Sequence, residues 1–256
     1  MAAALAVCGV LCPQPRALAV QALPGSTWGQ VTYQTDKLIG AGTMGTLNQG
    51  IDWVTLPGDI TFNTFAEFDY RFRSGNHAFY NMYGPFLGME LRKSIFHLGA
   101  GYYWQRYPGI NDTSNGMEFY LSWFQGWDLK TRLPGGIQNS LKVKGLSGST
   151  WGRAGYQTDE LVGAGAMGYV NQGIDWFTLP GQITFNTYVE FYYRFRSGNH
   201  DFYNAYGPTI GLEFQKSVFR LGAGYYWERY PGINDTSNGL RFYLTWFQDW
   251  DLKRTK

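Results

Sequence analysis

The 256-residue chain contains 47 aromatic residues (10 Trp, 19 Tyr and 18 Phe) and 34 glycines, while charged residues make up only 16% of it, against about 25% in an ordinary soluble domain. This composition excludes a disordered chain, and the lack of any run of about 18 apolar residues excludes a helical membrane span. The formal net charge of +2 gives no reason to expect a nucleic acid or another polyanion as a partner.

Residues 1–22 predict a secretory signal peptide. Ala2–Cys12 is small and apolar, Pro13–Arg16 interrupts it, and Ala17–Ala19 has the small-x-small pattern that signal peptidases accept. The alternative interpretation is an unordered N-terminus. The only cysteines, Cys8 and Cys12, lie in this segment. A processed chain would therefore contain no disulfide, no thiolate metal site and no cysteine nucleophile.

The rest of the chain is a tandem duplication. Gly25–Lys130 aligns without a gap with Gly148–Lys253 at an offset of 123, and 79 of the 106 aligned positions are identical. We therefore divide the chain into a first repeat over residues 23–130, a linker over residues 131–147 and a second repeat over residues 148–253. The linker contains Gly, Pro and Lys but few aromatic residues.

Each repeat is dominated by alternation of apolar and polar residues, which is the pattern of β-strands with two different faces. In Ile60–Arg73 the apolar residues occupy even positions and the polar residues odd ones, and only Thr64 and Phe65 depart from this. A turn at Asn48–Gly50 would split the second predicted strand. The six strands predicted in the first repeat are Trp28–Thr35, Ile39–Thr55, Ile60–Arg73, Phe86–Arg92, Ile95–Arg106 and Met117–Trp127.

Differences between the repeats separate the two faces of these strands. On the apolar face the replacements all keep an apolar residue, namely Ile39 to Val162, Leu87 to Ile210, Met89 to Leu212, Leu91 to Phe214 and Met117 to Leu240. On the polar face six replacements change formal charge, namely Gln30 to Arg153, Asp69 to Tyr192, Arg92 to Gln215, His97 to Arg220, Gln105 to Glu228 and Glu118 to Arg241. A face that accepts charge of either sign is predicted to be in contact with water.

A membrane barrel explains the aromatic content better than a soluble sandwich does. The solvent face of a sandwich is rarely aromatic, whereas a membrane barrel turns aliphatic residues and Phe toward lipid and places Tyr and Trp in belts near the strand ends. Eight tryptophans lie near the predicted strand ends: Trp53, Trp104, Trp123, Trp127, Trp176, Trp227, Trp246 and Trp250.

The predicted connections alternate in length, as in outer-membrane barrels. Short turns at Leu56–Asp59 and Lys93–Ser94 alternate with longer loops at Ser74–Gly84 and Pro108–Gly116, and the short bend near Asp36 is the exception. Six strands alone are too few for a barrel. We therefore predict an all-β, antiparallel transmembrane β-barrel of about 12 strands built from two tandem six-stranded repeats. Two separate domains are the alternative, because the linker is long for a periplasmic turn.

Neither a catalytic set nor a metal site emerges from the sequence. His77 and His200 occupy the same Ser-Gly-Asn-His position of the two repeats, without a second His or Cys nearby, and turn chemistry alone accounts for these residues. The INDTSNG segments could bind calcium or a sugar, or form a turn rich in Asn and Asp. We expect no enzymatic activity, no cofactor and no metal. The external-loop candidates are His77, Asp112, His200 and Asp235.

One constellation points toward function, on the polar face of the third strand of each repeat and its neighbour. Inside a narrow barrel these carboxylates and guanidiniums would need partners of opposite charge, and they would influence which solute passes. Tyr103, Tyr120 and Phe124 are expected in the same lumen. The lumen-lining candidates are Glu67, Asp69, Arg71, Arg73, Glu90, Glu190, Arg194, Arg196 and Glu213.

The segments ITFNTFAEFDYRFRS, FHLGAGYYWQRY and MEFYLSWFQGWDL resemble strands of Gram-negative outer-membrane β-barrels and, to a lesser degree, barrel domains of exopolysaccharide-export and phage-adsorption proteins. The resemblance lies in the general pattern of the sequence and does not depend on a diagnostic motif. It implies location in the outer-membrane bilayer and a transport or surface role. The charged inner face, combined with the lumenal aromatic residues, predicts a pore or export channel for a polar solute of the saccharide class. The alternatives are a surface receptor or adhesin acting through its loops, an outer-membrane hydrolase, and a soluble tandem β-sandwich that binds ligands as lectins do.

Overall fold

The structure is a computed structural model that describes residues 22–74, 80–129, 146–198 and 203–253. The predicted signal peptide up to residue 21, residues 131–145 of the predicted linker, and His77 and His200 lie outside these ranges. Within them, no helix is long and apolar enough to cross a membrane.

Twelve β-strands form the described chain, six from each repeat. In chain order they are β1 (Ala22–Gln34), β2 (Gly42–Leu56), β3 (Ile60–Arg73), β4 (Met82–Lys93), β5 (Phe96–Tyr107), β6 (Asp112–Leu129), β7 (Leu146–Gln157), β8 (Gly165–Leu179), β9 (Ile183–Arg196), β10 (Ala205–Lys216), β11 (Phe219–Tyr230) and β12 (Asp235–Lys253). Each contains at least 12 residues, more than the 9–11 that a tilted strand needs to cross a bilayer.

The strands close into one antiparallel barrel. Every strand pairs with the next in the chain, β6 pairs with β7 across the two repeats, and β1 pairs with β12 to complete the ring. The predicted fold is therefore confirmed. The alternatives of two separate domains and of a soluble tandem sandwich are wrong, because both edges of each repeat are paired with the other repeat.

The connections define two ends of the barrel. At the loop end the strands are joined by residues 35–41, 74–81, 108–111, 158–164, 197–204 and 231–234, and at the turn end by residues 57–59, 94–95, 180–182 and 217–218. The predicted loop at Pro108–Gly116 is shorter than expected. Its chain reverses in four residues, with Asn111 at φ 55°, and β6 already begins at Asp112.

Strand β2 is continuous through Asn48–Gly50, so the alternative in which a turn splits the second strand is wrong. Its irregularity lies further on, where the pairing with β3 shifts between Asp52 and Val54. A bulge inserts one extra residue and changes which face the following residues occupy. Here it places Trp53 and Val54 both on the outer wall, and the second repeat has the same shift around Trp176.

The side-chain distribution is the reverse of that in a soluble protein, which buries apolar residues and exposes charges. In β3, Phe68 is 45% exposed on the outer wall while the adjacent Glu67 is 8% exposed inside. All residues at the six charge-changing positions are at least partly buried, whereas Leu87, Met89, Leu91, Met117 and their equivalents are exposed. Because successive side chains of a strand point to opposite faces, the strand pairing also places all eight strand-end tryptophans on the outer wall. The barrel is therefore built to span a membrane.

Candidate functional site

All nine predicted lumen-lining residues lie on inward-facing positions of their strands, and none is exposed. They occupy three levels along the lumen. Glu90 and Glu213 lie nearer the turn end, Glu67, Asp69 and Glu190 lie in the middle, and the four arginines lie at the loop end. We call the lumen at the loop end the mouth.

The level nearest the turn end contains one of the predicted carboxylates from each repeat, and in both repeats the equivalent tyrosine donates to it. Glu90 accepts from Arg92 at 2.5 Å and from the Tyr120 hydroxyl at 2.8 Å, and His97 Nδ1 lies 3.2 Å away. The equivalent Glu213 accepts from the Tyr243 hydroxyl at 2.9 Å and faces Arg220 at 3.8 Å. The predicted pairing of facing carboxylates and guanidiniums is therefore present at this level.

A close contact positions these tyrosines. A Cβ added at Gly99 would lie 2.1 Å from the Tyr120 ring, and one at Gly222 would lie 2.2 Å from the Tyr243 ring. Only glycine leaves room for the ring to lie flat over the neighbouring strand. The hydroxyl then reaches the carboxylate on the far side of that strand.

The middle level differs between the two repeats. In the second, Arg241 donates to Glu190 at 2.8 Å. In the first, Glu67 and Asp69 accept from Asn48 and Thr46, at 2.9 and 2.5 Å. These carboxylates therefore have neutral partners, and the cation on this side of the lumen comes from the second repeat.

That cation is Arg153 on β7. It donates to Glu118 on β6 at 2.5 Å, and its guanidinium lies 3.8 Å from the centroid of the Tyr120 ring. The equivalent position in the first repeat is Gln30, and the equivalent of Glu118 is Arg241. The duplicated positions have thus diverged so that one repeat supplies carboxylates and the other supplies guanidiniums across the seam between β6 and β7.

The mouth is covered by the turn over residues 35–41. Ile39 in this turn is 0% exposed and packs with Tyr80, Ala205 and Tyr230, which come from other parts of the ring. The sequence placed Ile39 on the lipid-facing side of a strand, and that prediction is wrong. Strand β2 begins only at Gly42, and the preceding Gly40, at φ 78°, allows the chain to turn inward. The equivalent Val162 is also 0% exposed.

An aspartate holds each of these turns by neutral hydrogen bonds. Asp36 accepts from the backbone of Leu38 and Ile39 at 2.8 and 2.9 Å, from Ser237 on β12 at 2.6 Å and from Tyr226 on β11 at 2.8 Å. The partners on β11 and β12 belong to the second repeat. A turn of the first repeat is therefore fixed by side chains of the second.

The second turn, residues 158–164, is held in the reciprocal way. Asp159 accepts from Ser114 on β6 at 2.6 Å and from Tyr103 on β5 at 3.0 Å, as well as from the backbone of Leu161 and Val162. We call these two sets of hydrogen bonds the Asp36 clamp and the Asp159 clamp. Sequence reasoning missed both. The signal was the Gln-Thr-Asp-x-Leu-x-Gly-Ala-Gly motif at both sites.

Below the turns lie the four predicted arginines with two tyrosines from the loops. Arg71 and Arg73 lie over the Tyr80 ring at 4.3 and 5.4 Å from its centroid. Arg194 and Arg196 lie over the Tyr203 ring at 4.3 and 5.7 Å. Sequence reasoning missed the tyrosines, which lie in connections where alternation gives no guide to facing.

The three aromatic residues predicted to face the lumen do so, but one of them, Phe124, lies near the end of the barrel. Tyr103 and Tyr120 are buried in a cluster with Phe65 and Phe86. Phe65, the residue that breaks the alternation of β3, is thus a lumen residue. Phe124 has the inward register of Tyr120 but is 51% exposed, because it lies near the turn end.

The external-loop candidates are not brought together into a described site. Asp112 and Asp235 are the exposed first residues of β6 and β12, and each carboxylate accepts from the backbone of the following residue at 2.7 Å. They lie in strands and not in the predicted loops. His77 and His200 lie outside the described residues.

No family model and no curated protein sequence matches this chain. Solved structures similar to it include the beta domain of the Bordetella autotransporter Brka (TM-score 0.48, 13% identity, 88% of this chain and 98% of that chain). Others are the NanC porin (0.39, 10%, 85% and 98%) and a bacterial polysaccharide outer membrane secretin (0.37, 13%, 87% and 97%). The assignment as a membrane-spanning barrel depends on the strand register and the exposed apolar wall described above.

Proposed function

We propose that the chain is an outer-membrane barrel that forms a pore or export channel for a polar solute of the saccharide class. The observation that carries this proposal is the charged and aromatic inner wall enclosed by an apolar outer wall. Burying so many ionised groups is costly unless they are paired or meet a polar solute. The predicted signal peptide supports export from the cytoplasm, and the proposal includes no catalytic step.

The chemistry of the inner wall supports a saccharide-like solute. Carboxylates, guanidiniums and tyrosine hydroxyls supply hydrogen-bonding groups of both polarities, and rings such as Tyr103 and Tyr120 supply flat apolar surfaces. A sugar presents hydroxyl groups at its edge and C–H groups on its faces, and such a wall is complementary to both.

In the described structure the mouth is narrowed by the two inward turns, so the proposed channel is a gated one. Two of the loop-end connections, residues 108–111 and 231–234, are four-residue turns, and these two offer little surface to a receptor acting through its loops. The barrel itself is therefore the better candidate for the functional part.

Fractionation tests the location. We expect the protein in the outer-membrane fraction, extracted only by detergent, with electrophoretic mobility that changes on heating. A soluble monomer recovered from the periplasm would contradict the proposed location.

Planar-bilayer recording tests conduction. The purified, folded barrel should show discrete conductance steps that a high concentration of a permeant oligosaccharide interrupts. A folded barrel that stays silent at all voltages, even when Asp36→Ala and Asp159→Ala remove both clamps, would overturn the proposed pore.

A further inference from the structure

The duplication places the same pair of arginines at the mouth in both repeats. Arg71 and Arg73 end β3, and Arg194 and Arg196 end β9, which stands six strands away on the opposite wall. Arg73 and Arg196 are each 5% exposed. The two pairs of guanidiniums thus lie on opposite walls at the same end of the lumen.

Within the described ranges, the charge of Arg71, Arg73 and Arg196 has no ion-pair partner. The hydrogen bonds described for these side chains go to neutral groups, including the carbonyl oxygens of Tyr80, Gly40 and Gly163. Asp36 and Asp159 are engaged by neutral donors in their clamps, and Glu228, the carboxylate near the loop end of β11, accepts from the Tyr230 hydroxyl at 2.6 Å. By contrast, the arginines elsewhere in the lumen each pair with a carboxylate, as Arg92, Arg153, Arg220 and Arg241 do.

Donor atoms of these same arginines are also unused. Nε of Arg73, Nε of Arg196 and Nη2 of Arg71 are buried and have no hydrogen-bond partner in the described part of the chain. An unsatisfied buried donor that carries positive charge is costly. The acceptor that would remove this cost is a negatively charged group between the two walls.

The pKa of the loop residue Tyr203 indicates a positive electrostatic potential at the mouth. Burial alone would raise the pKa of its hydroxyl, yet the pKa is lowered because Arg196, Arg194 and Arg71 favour the phenolate. Arg71 belongs to the opposite wall. The fields of the two arginine pairs therefore overlap, and a negative charge is favoured where they meet.

We propose that Arg71, Arg73, Arg194 and Arg196 form a binding site for an oxyanion, the carboxylate or phosphate group of an anionic solute. The planar guanidinium fork matches both groups through paired N–H···O bonds. This inference rests on the proposed function, since it assigns a charge class to the solute of the same lumen. A neutral sugar would leave the charges of Arg71, Arg73 and Arg196 without an ion-pair partner in the described part of the chain.

Calorimetric titration of the full-length barrel in detergent tests the site with three probes: glucuronate, glucose and inorganic phosphate. We expect binding of glucuronate in the millimolar range or tighter and none of glucose. Arg71→Gln and Arg196→Gln should each weaken binding about tenfold or more, the effect of losing one charge-assisted bond. Arg71→Lys, which keeps the charge but not the fork, should weaken it less.

Arg106→Gln is the matched control. Arg106 is at the same end of β5 but on the outer wall, where it donates to Thr113 and Asn111, and its replacement removes the same charge. Heat-modifiable mobility shows whether each variant is folded. If Arg196→Gln fails to fold, Arg71→Gln decides, because the one described hydrogen bond of the Arg71 side chain is to the Tyr80 carbonyl.

The outcomes separate this inference from the proposed function. Binding of phosphate without glucuronate would support the site and assign it to a phosphorylated solute. Absence of binding by either anion, or equal weakening in Arg106→Gln, would overturn the site. A barrel that conducts but binds no anion overturns only this inference, and one that binds anions but never conducts overturns only the pore.

Discussion

At the scale of single residues, neighbours in the chain have opposite environments. His97 faces Glu90 in the lumen, and Leu98 beside it is 59% exposed on the outer wall. The two repeats differ at one of these positions, because Arg220 replaces His97 in the second repeat and faces Glu213 there.

We expect Phe68→Arg to lower the free energy of unfolding in lipid vesicles by about 2–4 kcal/mol, the cost of an arginine on the lipid face near the midplane. Leu98→Arg should lower it by less, because Leu98 lies two residues from the start of β5 at the turn end. His97→Arg should be tolerated, because it recreates the second repeat's pairing. Urea titration of the vesicle-folded variants, followed by tryptophan fluorescence, measures the difference.

Spin labels at the same positions provide the control for facing. Oxygen dissolved in lipid should relax labels at 68 and 98, and a water-soluble reagent should reach labels at 67 and 97 in preference. Shielding of 68 and 98 from both reagents would indicate a protein core there and contradict the membrane assignment.

At the scale of elements, the two inward turns are the parts of the barrel that depend on a few bonds. Asp36 and Asp159 each organise one turn. In each clamp the single hydroxyl proton of a tyrosine is shared between the aspartate and a turn carbonyl, which lies 2.7 Å away for Tyr226 and Thr35 and 2.6 Å away for Tyr103 and Thr158. The strands around them are held by continuous ladders, so the turns can move without unfolding the wall.

Replacement of both clamp carboxylates, Asp36→Ala with Asp159→Ala, should release the turns and raise single-channel conductance. A cysteine introduced at Ile39, with Cys8 and Cys12 replaced by serine, gives an independent measurement. It should resist a water-soluble thiol reagent in the intact protein and react once the clamps are removed. Asp112→Ala is the control, since this carboxylate is exposed. Unchanged labelling at residue 39 would show that the clamps do not hold the turn.

The sequence predicted the elements where alternation was uninterrupted and erred where it was not. Ile60–Arg73 is β3 to the residue. The start of β6 was missed because Asp112–Gly116 is polar on both faces. This is typical of the part of a strand that extends out of the lipid layer. Ile39 was misplaced because a residue buried under a turn and a residue facing lipid are both apolar. The lumenal charges were predictable because the two repeats tolerate opposite signs there, whereas the clamps depend on contacts between the repeats.

At the scale of the whole molecule, the two repeats are no longer interchangeable. Glu118 and Arg153 form an ion pair across one seam. Their equivalents, Arg241 and Gln30, lie on the two strands of the other seam, but there Arg241 pairs with Glu190 and Gln30 donates to Thr32. A barrel built from two copies of the first repeat would have Glu118 at both seams and no Arg153 to pair with it. The present barrel therefore depends on having one copy of each kind.

A double-mutant cycle measures that dependence. Arg153→Gln, which installs the residue of the first repeat, should cost roughly 3–5 kcal/mol, because it leaves Glu118 buried without its cation. Glu118→Gln in the same chain should recover much of this loss, with a coupling energy well above zero. The pair Glu190 and Arg241, which lies within one repeat, is the matched cycle. Purely additive costs at the seam would contradict the complementarity of the repeats.

The two clamps have nearly the same geometry but very different separations along the chain. Asp159 binds Ser114 and Tyr103, which precede it by 45 and 56 residues, whereas Asp36 binds Tyr226 and Ser237, which follow it by 190 and 201. The entropy lost on closing a loop grows with its length, and the longer contacts also require β1 to have met β12. During folding the Asp159 turn can therefore settle on a partly built sheet, while the Asp36 turn must wait for the ring to close. One half of the mouth is set early, and the other is the last part of the barrel to form.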